Sequence, residues 1–347
     1  MSENGSNSSL QAVFAAALDR GDGEALAALA SDLPITPVET RKACVRSLRS
    51  TVDDEDSAHP LALDSASLAH ILPAFEPLLT DEERSVRLTT AKLFVAVAES
   101  NATAVVPLVS ALADRLADDE EFYYVRARSA EALGYVALDH PDAVSSPEVL
   151  ADLRIGLSFD EPEVKEKLAK ALEHVALGDP GRLTHHVSTL ADHLNDEDEL
   201  VRYHLSTALV VVGCEYPERL TEVSDALGAQ LADENAHVRG RAAEAFGLLA
   251  RSAADMPLPE PLAALADDEE SFAAERARFA LVVGEPSDRN EQVETGEGIG
   301  TVEAIRATTD GIVAEITAPD GDGECPHCGL ALSEDCLPIC PRCGAAY

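Results

Sequence analysis

A chain of 347 residues carries 64 acidic against 26 basic side chains, a formal charge of −38, and 46% hydrophobic residues with only 4% aromatics. Such a charge repels nucleic acid and anionic lipid, so direct nucleic-acid binding is not expected. No apolar run is long enough to cross a bilayer, and no basic-then-apolar leader opens the chain, which together predict a cytoplasmic protein without membrane contact. Seven cysteines, five of them within the last 23 residues, point to a metal site in a reducing interior rather than a disulfide framework.

Residues 1–9 are Ser- and Asn-rich and predict a disordered N-terminus, after which Leu10 to Leu33 supplies apolar helices able to cap a stack. A repeat then dominates residues 10–284. Leu112-Ala-Asp-Arg-Leu116-Ala-Asp118, Leu190-Ala-Asp-His-Leu194-Asn-Asp196 and Leu227-Gly-Ala-Gln-Leu231-Ala-Asp233 each close an amphipathic helix with an acidic turn. Hydrophobic–basic pairs such as Val86-Arg87, Val125-Arg126, Val164-Lys165, Val201-Arg202 and Val238-Arg239 open the next helix, with Ala-Leu or Ala-Phe six residues on. Continuing the register outward gives basic positions Arg41, Arg87, Arg126, Lys165, Arg202, Arg239 and Arg276, with Val282-Val283 as the last core pair. They lie 37 to 39 residues apart, save a first interval of 46 that holds the acidic insertion Val52 to Ser57. Two helices per period, neither able to bury its oily face alone, predict about seven stacked pairs. The turn Asp and the following Arg are expected to form a hydrogen-bonded ladder between units.

The turn Asp, the Val-Arg opening and the Ala-Leu pair resemble HEAT repeats, including those of the phycobilisome-lyase-like group. That resemblance implies an all-α solenoid acting as a binding surface. Deoxyhypusine hydroxylase, a HEAT enzyme that holds iron through His-Glu pairs, is excluded because no His-Glu dipeptide occurs. The acid-rich, Lys-poor composition resembles that of proteins from salt-accumulating halophiles, where concentrated cations screen self-repulsion.

Beyond the repeats, Glu285 to Gly298 has no apolar periodicity and predicts a linker (285–298). Thr301–Ala307 and Gly311–Thr317 around an Asp-Gly turn predict a β-hairpin, with a short helix over the first half as the alternative. In residues 299–347 the clearest chemistry is Cys325-Pro-His-Cys328-Gly and Cys340-Pro-Arg-Cys343-Gly, two knuckles that resemble those of the zinc-ribbon family. Four thiolates suit tetrahedral zinc and leave no open position for a substrate, so a structural Zn in a compact ribbon (324–347) is expected. Cys336 is a possible substitute for Cys340.

Two residues after each basic position, Arg128, Lys167, His204, Arg241 and Arg278 form a basic series in five consecutive units. One reading is a stripe that docks an acidic or phosphorylated partner segment. The other pairs each residue with acids of its own turn, such as Asp118 to Glu121 or Asp267 to Glu270. No phosphate loop, nucleophile elbow or His-Glu-x-x-His helix is present. The functional expectation is a non-catalytic interaction scaffold with protein partners; alternatives are an accessory factor of a nucleic-acid-processing assembly and a signalling adaptor in taxis or kinase control.

Overall fold

The computed structural model describes residues 3–53, 65–252, 257–284 and 298–318, and divides into two compact units, Met1–Phe159 and Asp160–Tyr347. The described residues of both are helical, without strands.

The first unit contains α1 (Glu3–Arg20), α2 (Gly23–Ser31), α3 (Val38–Asp53), α4 (Ser65–Ile71), α5 (Arg84–Ser100), α6 (Ala102–Val105), α7 (Val109–Ala117), α8 (Tyr123–Asp139) and α9 (Pro147–Ile155). The second contains α10 (Pro162–Gly178), α11 (Val187–Ala191), α12 (Glu199–Glu215), α13 (Ser224–Gln230), α14 (Ala236–Ser252), α15 (Pro261–Leu265), α16 (Ser271–Gly284) and α17 (Val302–Ile316). Long second helices (α3, α5, α8, α10, α12, α14, α16) alternate with shorter, broken first helices. The breaks have a local cause: 3-10 turns containing Pro107, Pro141, Pro180 and Pro217 precede the first helices, because proline has no N–H to continue an α-helical ladder. Within the first unit α3, α5 and α8 pack in succession, as do α10, α12, α14 and α16 within the second. The spaced leucines Leu112, Leu116, Leu190, Leu194, Leu227 and Leu231 are all buried, as the stacking pattern requires.

From Glu3 on, the stretch expected to be disordered is part of α1, while residues 1 and 2 lie outside the described residues. Its packing begins further along, where Phe14, Ala17 and Leu18 are buried and Phe14 meets Phe75 edge-to-face at 6.3 Å. The helix ends where Gly21 takes φ 62°, a left-handed turn closed by Asp22 N–H on Ala17 O, and the Asp22 side chain then caps α2 at Ala25 N.

The expected hairpin at 301–317 is a single helix, α17. The apparent Asp-Gly turn falls in its middle, because residues 302, 305, 309, 312, 313 and 316 recur at helical spacing and share one apolar face. Thr301 caps it by accepting from Ala304 N. Among the cysteines, Cys44 on α3 is buried and Cys214 on α12 is half-buried, and burial pushes their thiols up to about 11 and about 12. The linker residues 285–297 and all five C-terminal cysteines, Cys325, Cys328, Cys336, Cys340 and Cys343, lie outside the described residues.

Candidate functional site

The fourth residue of each second helix is the ladder position. Arg41 pairs with Asp81 at 2.9 Å, and Arg87 takes Glu121 through two bonds of 2.8 Å. In the second unit Lys165 reaches Asp196 at 2.5 Å, Arg202 reaches Asp233 at 2.7 Å and Arg239 reaches Asp268 at 2.8 Å. The same arginines turn back on their own acidic turns: Arg202 donates to the carbonyls of Asp196 and Glu197, and Arg239 to those of Asp233 and Glu234. Each turn Asp also closes its own loop, as Asp196 does on Asp198 N and Asp233 on Asn235 N. One side chain thus fixes a turn and joins two repeats. Arg87 lands on Glu121 rather than on Asp118 because the turn before α8 is two residues longer. Arg126 bonds Leu116 O at 2.9 Å and Asp119 at 3.3 Å, and lies over the Phe159 ring.

The last repeat departs from the sequence register. Its turn Asp is Asp268 and its helix begins at Ser271, so the fourth residue of α16 is Ala274 and the sixth is Arg276. Arg276 is therefore no ladder residue. It occupies the position held by Arg128, Lys167, His204 and Arg241, while Arg278 points outward, exposed, and Val282 is exposed as well. The final repeat is two residues shorter than the preceding ones, which moves every assignment after Asp268 by two. Ala280-Leu281 is the true counterpart of Ala245-Phe246, with Ala280 buried.

At this sixth position the basic groups are neutralised, but by acids of the second helices rather than of the turns. Arg128 bonds Glu131 at 2.6 Å and Lys167 bonds Glu166 at 3.0 Å, both carboxylates buried. Arg241 is fully buried: it donates to Glu244 at 2.8 Å, to Tyr203 Oη at 3.3 Å and to Thr207 at 3.2 Å, with its guanidinium 5.3 Å from the Phe272 ring. Arg276 shares Glu244 at 3.0 Å and stacks on Phe272 at 3.4 Å. His204 Nδ1 bonds the buried Glu173. Burial works against ionisation of Glu173 and Glu244, but the charges beside them outweigh it: His204 and His174 for the first, Arg241 and Arg276 for the second. Both carboxyls are held below the ordinary range.

Helix α17 lies on these groups. Ile312 packs with Tyr203 and Val238, with Phe272, Val313 and Ile316 around them. The Thr309 hydroxyl donates to Glu173 and is 3.4 Å from Tyr203 Oη, and Gly300 N donates to Glu244 at 2.8 Å. Gly300 cannot be replaced easily: its φ is +77° and a Cβ there would meet Arg251, Phe279 and Leu248 within 3.2 Å. Glu315 reaches His237 at 3.4 Å.

A HEAT-repeat family model matches residues 71–100, spanning α5 and the turn before it. Two engineered proteins solved by the Northeast Structural Genomics Consortium resemble the chain with TM-scores of 0.54 and 0.53, at 23% and 21% identity, over 62% and 61% of this chain and 99% and 95% of theirs. A designed armadillo repeat protein in complex with the peptide (KR)4 matches with a TM-score of 0.51 at 17% identity, over 62% of this chain and 99% of that one. No curated protein shows significant similarity. The fold is a HEAT/armadillo-like repeat solenoid.

Within this solenoid α17 is the weakly held element. It buries Ile305, Thr309 and Ile312 and leaves most of its other residues exposed or half-exposed. Two buried isoleucines supply about 3–6 kcal/mol, against the ordering of a helix of 15 residues that is marginal by itself in water. Sequence reasoning missed this docking because the segment was divided into two strands. Its signal was the spacing of Ile305, Ile312 and Ile316 behind a Thr cap. Among the described residues no group of three or more His, Cys, Asp or Glu is placed to hold a metal, and no helix is long and apolar enough to cross a membrane.

Proposed function

We propose that the chain is a non-catalytic protein-interaction scaffold that holds partner segments on its row of second helices. The observation that carries this reading is α17 itself: the second-helix face of the second unit accommodates a peptide segment through an apolar centre (Tyr203, Val238, Phe272) flanked by buried charges. The fold supports it too, since repeat stacks of this kind offer extended faces, and the designed armadillo protein it resembles was solved with a peptide.

Photo-crosslinking from the full chain in a high-potassium cytoplasmic extract tests this. A crosslinker at Thr89, on second helix α5, is expected to capture a partner that one at Ala263, on first helix α15, does not. Equal capture at both positions, or none at Thr89, overturns the reading.

A second module completes the proposal. Cys325, Cys328, Cys340 and Cys343 would hold one zinc ion through four thiolates, a donor set that suits zinc and makes the metal structural, since so short a segment cannot build a useful core. One equivalent of zinc by elemental analysis is expected, lost in Cys340→Ser and kept in Cys336→Ser. The reverse pattern would make Cys336 the ligand.

A further inference from the structure

We propose that the groove filled by α17 is a docking site for amphipathic helices of other proteins, basic on their outward face, and that α17 is its built-in competitor. The proposal deepens the scaffold reading above and rests on it. Three observations lead there.

The first is connectivity. Short turns join α10 through α14, so none of these helices can leave without dismantling its neighbours. Residues 285–297 lie between α16 and the described segment that carries α17, so α17 is not tied to α16 by a short turn of the kind that joins the other helices.

The second is what α17 covers. Helix α17 rests on the apolar centre of Tyr203, Val238 and Phe272 and on two buried carboxylates, with Thr309 Oγ1 donating to Glu173 and the preceding Gly300 N to Glu244, and with Ile305 and Ile312 on either side of Thr309. Those requirements belong to the groove rather than to one sequence. Any helix with an apolar residue, a hydroxyl four positions on and an apolar residue three beyond that meets them, provided a free amide faces Glu244. A vacated groove would expose Tyr203, Val238 and Phe272 together, so it favours exchange of one helix for another over standing empty.

The third is charge. The outward positions of α17 carry Glu303, Asp310 and Glu315 against one Arg306, on a chain whose formal charge is −38. The resident helix thus adds acidic groups to an acidic chain, with Glu315 alone meeting a ring nitrogen, that of His237. A helix with lysines at those positions would be attracted instead, and this electrostatic difference lets a partner overcome the advantage of tethering.

The test uses fluorescein-labelled peptides of residues 298–318, one native and one carrying Glu303→Lys and Asp310→Lys, titrated by anisotropy into the full chain. Tethered α17 lowers the apparent affinity of any competitor to its intrinsic value multiplied by the open fraction. The Ile312→Asp full chain, with α17 released, is therefore expected to bind either peptide at least tenfold more tightly than wild type does. The basic peptide should bind at least tenfold more tightly than the native one at low salt, with the advantage shrinking as salt rises. Should Ile312→Asp fail to unfold cooperatively, a protease site placed within 285–297 of the otherwise unaltered full chain replaces it, and labelled peptide should exchange for the cut segment. No binding to a cooperatively folded variant, and no exchange after cleavage, would make α17 a fixed element and end the proposal. Equal binding of both peptides would overturn the basic partner. Because the assay contains only this protein and peptides, these outcomes are independent of capture at Thr89.

Discussion

Replacing Arg241 with alanine is expected to lower the unfolding free energy of the second unit by about 2–5 kcal/mol, the cost of the cavity left by a large buried side chain and of Glu244 losing one of its two arginine partners. Arg241 is wholly buried, and Glu244 beside it is equally so. Removing the guanidinium leaves Glu244 to Arg276 and the Gly300 amide, strips Tyr203 Oη and Thr207 of a donor, and opens a space between the Tyr203 and Phe272 rings. Urea denaturation of the full chain, with hydrogen exchange to assign the loss to residues 160–284, measures the effect. Arg278→Ala provides the comparison: on an exposed position it is expected to change stability by no more than about 0.5 kcal/mol. Equal losses for the two would put both arginines in one class and refute the shortened last repeat.

That comparison marks what sequence alone could and could not say. The alternation of helices was legible because stacking forces apolar residues into a fixed spacing, and Leu112, Leu116, Leu190 and Leu194 are buried where that spacing puts them. The ladder was legible for a related reason: a turn acid and a long basic side chain at the opening of the helix recur together in successive units, and the pair can fix the turn and reach the next one. The last register was misjudged because the counting ran from Arg to Arg. An arginine is a long side chain that suits both the fourth and the sixth position of a second helix, and Arg276 and Arg278 both fit a basic pattern. Counting from the turn Asp, which lies three residues before the helix start and closes its own turn, places Ala274 and Ala280 correctly. The docking of α17 was hidden for a different reason. Its partners, Glu173, Tyr203 and Glu244, belong to three separate repeats, and no spacing rule brings them to one helix face.

The same buried carboxylates set a pH dependence. Glu173 and Glu244 are both held below their ordinary value in the folded chain. A depressed carboxyl contributes stability that is fully present above its unfolded value, near 4.5, and lost as pH falls through the folded one. Acid should therefore weaken the second unit around Glu173, where neutralisation removes the carboxylate charge that His204 Nδ1 and the Thr309 hydroxyl face. Raw acid denaturation cannot isolate this, since 64 acidic residues titrate and their protonation relieves self-repulsion. A difference measurement can. Glu173→Gln keeps the acceptor oxygen and removes the charge, so the urea midpoint of wild type should exceed that of the variant at pH 7, with the gap closing below pH 4.5. Following hydrogen exchange in residues 302–316 alongside should show α17 losing protection over the same interval in wild type, and already lost at pH 7 in the variant. A gap that stays constant down to pH 3 would mean the carboxylate's charge contributes nothing to stability.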